Sequence, residues 1–374
     1  MQQWSQFWIR KVAVMSVHEI IICVMAVFAV LGAVDRIAGN RLGLGKEFEE
    51  GILTMGSLAL AMIGVITLAP VLAALLKPVI VPVYRFLGAD PAMFAGTILA
   101  CDMGGGSLAR ELTTDPQAAL LGGVLTGSML GATVVFTIPV AMGILQEQDR
   151  SFMAKGILCG IVTIPVGVLV GGLVAGFSLG MVLRNLVPIV LIAALIALGL
   201  WRFEKAMIKG FGIFGKLIIG LVTVGLAAAI VEALAGFSLI PGMNPIENGF
   251  HTVGEIAIVL SGAFPLVVVL TRLLRRPLLK LGRLLGINDT AAGGLVASLA
   301  NSIATFGLFK QMDDRGKVVN VAFAVSAAFV FGDHLGFTAG FAPELLPAMI
   351  LGKLAGGISA VAVALLLTKK KELP

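Results

Sequence analysis

The most chemically loaded string in the chain is a carboxylate followed closely by glycines within apolar sequence: Ala100-Cys101-Asp102-Met103-Gly104-Gly105-Gly106-Ser107. Each glycine weakens a helix by about 1 kcal/mol relative to alanine, so the run predicts a break beside Asp102. A break frees backbone carbonyls next to a carboxylate, and together these can replace the hydration shell of a cation. An aspartate there can equally cap a half-helix or pair with Arg110, and the sequence leaves those roles open.

Further along, Leu299-Ala300-Asn301-Ser302-Ile303 offers an amide, which both donates and accepts, beside a hydroxyl. Asn301 and Ser302 suit a small solute bearing a hydroxyl group, although membrane helices also use such residues to bond to one another. Asp333 and His334 are neighbours toward the end of an apolar run, where a carboxylate and an imidazole can handle a cation or relay protons. Adjacent residues on a helix project about 100° apart, so adjacency alone does not make them partners. Glu50 and Glu111 are secondary candidates at segment edges, whereas Glu19 with His18, Glu232 and Glu255 read as solvated at the membrane interface. The 21 phenylalanines can offer faces to a cation, but most read as lipid-facing filler.

The elements that must hold these residues are membrane helices. The chain is 58% hydrophobic and 13% charged, with mean hydropathy +1.04, whereas a soluble domain carries about 25% charged residues. Apolar runs near 12–34, 51–76, 116–145, 151–177, 181–201, 213–235, 253–274, 317–337 and 343–367 predict nine spanning helices. Two Gly-rich stretches, 90–112 and 289–309, each hold a polar residue midway and read as re-entrant or broken segments. Irregular backbone at membrane depth survives where protein or a wet cavity satisfies its amides, so such segments line sites. The fold class expected is therefore an all-α polytopic membrane protein. The first apolar run has no cleavage pattern and is expected to remain.

The chain also matches itself at an offset of 199 residues: Lys77-Pro78 with Arg276-Pro277, Asp90 with Asp289, Asp102 with Asn301, and Thr114-Asp115 with Asp313-Asp314. This order of elements predicts two structural repeats, 1–180 and 213–374, joined by a helix and cytoplasmic loop at 181–212. Short cytoplasmic loops collect Lys and Arg. The basic stretches at Arg202 to Lys209 and Arg272 to Arg283 flank 237–252, which has neither residue. With 289–309 re-entrant, Lys310, Arg315, Lys317 and the terminal Lys369 to Lys371 are all cytoplasmic. Five crossings then separate equivalent points, and an odd number inverts the second repeat relative to the first. The same count puts the N-terminus outside and leaves Lys77, Arg85 and Arg110 on the outer side, against the charge rule.

Other chemistry has little support. His18-Glu19 begins like a zinc-protease motif, but Ile22 stands at the second histidine position. There is no phosphate-binding loop, dinucleotide fingerprint or CxxC pair, and Cys23, Cys101 and Cys159 are far apart. No enzyme activity, cofactor or metal is expected. The net charge of +6 is spread between apolar runs, which argues against a nucleic-acid partner and for a topology signal. The bilayer is the expected environment, and homo-oligomerisation is left open.

Four strings carry a resemblance: Phe48-Glu49-Glu50-Gly51; the stretch from Gly88-Ala89-Asp90-Pro91 through Thr97 to Ala100-Cys101-Asp102-Met103-Gly104-Gly105; Lys310-Gln311-Met312-Asp313-Asp314-Arg315-Gly316-Lys317; and Gly332-Asp333-His334-Leu335-Gly336-Phe337. Over nearly the whole chain it resembles the ethanolamine-utilisation membrane protein family, EutH. The resemblance implies a permease or facilitator of the bacterial inner membrane that admits ethanolamine. An alkyl ammonium protonated at neutral pH needs a carboxylate or carbonyl cage and a partner for its hydroxyl, which Asp102 and the Asn301-Ser302 pair can supply. The competing classes are an ion-coupled symporter of another small polar or cationic metabolite and a non-transporting scaffold for metabolic enzymes.

Overall fold

The computed structural model describes residues 15–368, and every regular element in that range is helical. Lys369 to Lys371 and the start of the first apolar run, 12–14, lie outside the described residues. Among the described residues, seven helices are long and apolar enough to cross a bilayer. The protein is thus a multi-pass membrane protein, and the sequence count of nine spans departs from these seven at two places that follow below.

The first helix, α1 (Val17–Ile37), is peripheral, with few of its residues buried, as suits a helix facing lipid. A tight turn leads into α2 (Leu44–Phe86), held by the Asp35 carboxylate, which accepts from the amides of Leu42, Leu44 and Gly45 at 2.9 to 3.0 Å. Pro70 has no N–H to offer the Ile66 carbonyl four residues back. The Asn244 side chain donates to that carbonyl instead, at 3.1 Å, and the Asn244 amide donates to Thr67 O at 2.9 Å.

Asn244 stands just before α9 (Ile246–Leu285), and α2 and α9 form the most extensive helix pair in the molecule. Their contacts run in opposite chain order: Arg272 donates to Leu42 O at 2.7 Å, Gly51 abuts the backbone of Leu260 and Ser261, and Gly249 abuts Ile63. The helices are therefore antiparallel. Gly51 leaves no room for a side chain, since an added Cβ would lie within 2.6 Å of the Leu260 carbonyl carbon. Advancing the 51–261 contact by the 199-residue offset lands within one residue of the 249–63 contact.

Both Gly-rich stretches are broken hairpins. In the first, α3 (Met93–Ile98) ends where Leu99 and Ala100 turn extended; a distorted turn, Cys101–Gly105, follows, and then α4 (Gly106–Leu112). Its ends meet, because Thr113 Oγ1 donates to the Asp90 carboxylate at 2.8 Å. In the second, α10 (Asp289–Ala300) and α11 (Ser302–Gly307) flank an extended Asn301. There the Asn288 amide donates to Asp313 and its side chain to Gln311 O, both at 2.8 Å. Thr305 Oγ1 bridges the arms by donating to Gly294 O at 2.9 Å. Each stretch therefore enters and leaves at one level, and 289–309 is not an uninterrupted helix.

After the first hairpin comes α5 (Pro116–Ile144), the most enclosed span. The Asp115 carboxylate caps it, accepting from the amides of Gln117 and Ala118. Then follow α6 (Arg150–Ile161) and α7 (Ile164–Val174). The next helix, α8 (Leu179–Ala235), covers both the 181–201 and 213–235 spans and the loop expected between them. That loop is condensed to a kink at Phe203, which has φ −135° and ψ 45°. Eight residues of straight helix span about 12 Å, yet a Cβ on Gly199 would lie 3.0 Å from Met207 Cγ, so the two arms are bent sharply against each other.

The second departure is in the last third. The 317–337 span expected from sequence is α12 (Asp314–Ala327) followed by an irregular stretch and then α13 (Asp333–Phe341). Phe329 has φ +63°, a left-handed conformation that a bulky side chain adopts only under constraint. Its constraint is the second hairpin: the Phe329 and Phe331 amides donate to Ser298 O and Leu299 O at 3.0 and 2.9 Å. The chain closes with α14 (Leu346–Leu367).

Two measurements check this layout. Single cysteines at Lys280 and Lys310, in a background lacking the native thiols, should react with an impermeant maleimide from the same side of the membrane. Labelling from opposite sides would make 289–309 a full crossing. Gly104 has φ +89°, and an added Cβ would collide with the Val65 side chain, so Gly104→Ala should lower the thermal midpoint, with a backbone penalty alone of about 1 to 2 kcal/mol. A midpoint equal to the parent's would show that the break relaxes freely.

Candidate functional site

The interruptions converge on one cavity of about 410 Å³. Its walls carry Asp102 and Met103 from the first hairpin, Asn301 and Ile303 from the second, Asp333 and His334 from the start of α13, and Glu50, Thr54 and Ser57 from α2. Phe136, Phe264 and Phe329 supply aromatic surface. Five residues singled out from sequence, Glu50, Asp102, Asn301, Asp333 and His334, thus share one space.

Helix breakage accounts for their placement. Asp102 follows the extended Leu99 and Ala100, so its carboxylate sits at the membrane-depth end of the half-helix rather than on a cylinder side. It is 9% exposed, and His334 Nε2 lies 3.7 Å from its Oδ1. Arg110 does not pair with it: the guanidinium donates to Phe341 O at 3.0 Å and stacks 3.5 Å above the Phe341 ring. Asn301 uses its carbonyl as a cap, accepting from the Ile303 amide at 2.8 Å, which leaves its amino group for the cavity. Thr54 and Ser57 donate back to their own helix, to Glu50 O and Thr54 O. The cavity is therefore rich in acceptors: three acidic residues, Glu50, Asp102 and Asp333, line it together with the Asn301 amide.

Two sequence candidates fall outside it. Ser302 is fully buried and absent from the cavity wall, and its Oγ has no hydrogen-bond partner. Glu111 lines a separate polar hollow of about 260 Å³ with Arg110, Glu255, Asn244, Asn248 and Thr252. Phe341, which lines the hollow, stacks on Phe337 at 4.8 Å between centroids, and both rings press on Gly106.

Lys353 is the residue that the sequence reading missed. It is 1% exposed in α14, its ammonium donates to Ser128 O, and it interacts electrostatically with Cys101 and Asp102. The available signal was a lone lysine in Ile350-Leu351-Gly352-Lys353-Leu354, well inside an apolar run. Such a charge is expensive at membrane depth and marks a functional region. Lys317, by contrast, is tied into a compact pair with Asp149 at 2.7 Å, joining α12 to the turn before α6.

Comparison with known proteins agrees with this architecture in extent. The family model described as "Ethanolamine utilisation protein, EutH" matches residues 17–367. A protein of Listeria monocytogenes serotype 1/2a (strain 10403S) named "Probable ethanolamine permease EutH" is 58% identical over 356 residues, 95% of each chain. One of the same name from Salmonella typhimurium (strain LT2) is 48% identical, over 96% of this chain and 97% of its own. A Bacillus subtilis (strain 168) protein named "Uncharacterized protein YxeR" is 51% identical over 95% of this chain and 96% of its own. No solved structure matches the chain. Near full-length identity at this level, with the family model covering all but the ends, establishes that the chain belongs to the ethanolamine utilisation protein EutH family.

Proposed function

We propose that the protein is a permease of the bacterial inner membrane that carries ethanolamine, taken in its ammonium form. The observation that carries this reading is the cavity that Asp102, Asp333 and Glu50 line together with Asn301, at two broken helices. Relatives named probable ethanolamine permeases supply the substrate. A solute with a cation at one end and a hydroxyl at the other fits a cavity that offers both carboxylates and an amide. Phe136, Phe264 and Phe329 can hold the charge against their faces while excluding bulk water.

Movement across the membrane needs a second state in which the cavity opens to the other side. The antiparallel α2–α9 pair, with contacts that nearly repeat at the 199-residue offset, supports an inverted-repeat plan in which one conformation is turned into the other by exchanging the roles of the halves. In that plan the hollow beside Glu111 and Glu255 is the outer entrance, which gathers cations, and the Phe337–Phe341 stack with Arg110 is the outer gate.

Uptake of labelled ethanolamine by the purified protein in liposomes tests the reading. Asp102→Asn keeps shape and removes charge; the loss of a charge-assisted bond of about 1.5 to 3 kcal/mol lowers apparent affinity by roughly 10 to 150-fold. A parental rate and affinity in a correctly inserted Asp102→Asn protein would make Asp102 structural, and Asp333→Asn would then be the variant to measure.

A further inference from the structure

Two residues of the cavity wall, Asp102 and His334, form a cluster with Cys101, which the proposed transport does not use. Cys101 Sγ lies 4.0 Å from Asp102 Oδ1, His334 Nε2 lies 3.7 Å from the same oxygen, and one ligand atom from each of the three residues falls within 4.8 Å of the others. All three side chains are buried, and the other ring nitrogen of His334 has no hydrogen-bond partner.

We propose that Cys101, Asp102 and His334 form a binding site for a borderline-soft divalent cation, of which zinc is the best fit, and that its occupation blocks the transport cavity. Tetrahedral zinc with Zn–O, Zn–N and Zn–S distances of roughly 2.0 to 2.3 Å needs its ligand atoms about 3.3 to 3.8 Å apart. Two of the three separations, 3.7 and 4.0 Å, are at or near that range, and the third, within 4.8 Å, closes by side-chain rotation of about 1 Å. Mixed sulfur, nitrogen and carboxylate donors select zinc over magnesium and calcium, which favour all-oxygen shells. The fourth position opens to the cavity, since Asp102 and His334 line it, and water fills it.

Charge balance is favourable. On binding, the Cys101 S–H bond breaks, the sulfur keeps the electron pair as a metal-bound thiolate, and the proton leaves to solvent. Thiolate and carboxylate together then cancel the two charges of the ion, so the nearby Lys353 faces a neutral centre. The Cys101-Asp102 pair is flanked on both sides by non-helical backbone: Ala100 is extended and Met103 has φ −93° and ψ 35°.

That zinc blocks uptake rests on the reading of Asp102 as the substrate carboxylate; that zinc binds does not. Equilibrium dialysis of the purified protein against zinc should give one ion per chain that excess magnesium does not displace. Cobalt in its place should show the near-ultraviolet absorption of thiolate-to-metal charge transfer, a signature that needs no variant. Cys101→Ser should bind zinc at least about tenfold more weakly, with ethanolamine uptake in a chelator unchanged. Zinc should then inhibit uptake by the parent at concentrations that leave Cys101→Ser active. Absence of zinc binding, a cobalt spectrum without the thiolate band, or equal zinc affinity in parent and Cys101→Ser would each overturn the site. Zinc binding without inhibition would overturn the block alone.

Discussion

A peptide group interrupted at membrane depth has no water to turn to, and each one left unpaired costs several kcal/mol. The centre of this protein is organised by that constraint. The break after α10 leaves Ser298 and Leu299 carbonyls without helical donors, and the break between α12 and α13 leaves Phe329 and Phe331 amides without acceptors; each set satisfies the other. The left-handed Phe329 is the conformational cost of this match. Because these bonds fix Asn301 against the start of α13, they also bring Asp333 and His334 to the wall that Asn301 lines.

The two halves solve the same problem unequally. At the residues equivalent to 328–332, α5 is not broken; it is widened, and Thr133 Oγ1 donates both to Met129 O at 2.7 Å and across to Val325 O at 3.0 Å. The first hairpin instead packs its extended Leu99 against Gly131, where the absence of a side chain lets the backbones touch. Small residues are what allow helices to approach this closely in lipid, where no hydrophobic drive pulls them together. Symmetry in element order thus coexists with different chemistry at equivalent positions.

Much of this was legible in the sequence because glycine runs and lone polar residues in apolar stretches have few explanations in a bilayer. The breaks beside Asp102 and at Asn301 follow from such signals. The break at 328–332 did not, because Ala327-Ala328-Phe329-Val330-Phe331 reads as an ordinary apolar span and its interruption is imposed by bonds from a segment about thirty residues earlier. The merging of two spans into α8 was also hidden: Arg202, Lys205 and Lys209 mark a polar boundary whether the chain turns through a loop or a kink. Lys353 escaped notice for the opposite reason, since nothing irregular surrounds it, and its partner Ser128 lies 225 residues away.

In the proposed permease, the inequality between halves would bear on how a small amphiphilic cation is oriented. Asp102 corresponds to Asn301 at the 199-residue offset, so one repeat contributes a charged acceptor where the other contributes an amide. Asp333 corresponds to Val134, Lys353 to Ala154 and Glu50 to Gly249, so none of the other acidic or basic residues at the cavity or beside it has a charged counterpart. A fully symmetric pair of carboxylates would hold either end of a dication and would bind a single ammonium in two equivalent ways. In the permease proposed above, a carboxylate from one half and an amide from the other would distinguish the ammonium from the hydroxyl end. That distinction would arise from sequence divergence at the 199-residue offset, laid on a backbone whose interruptions bring both residues to one cavity.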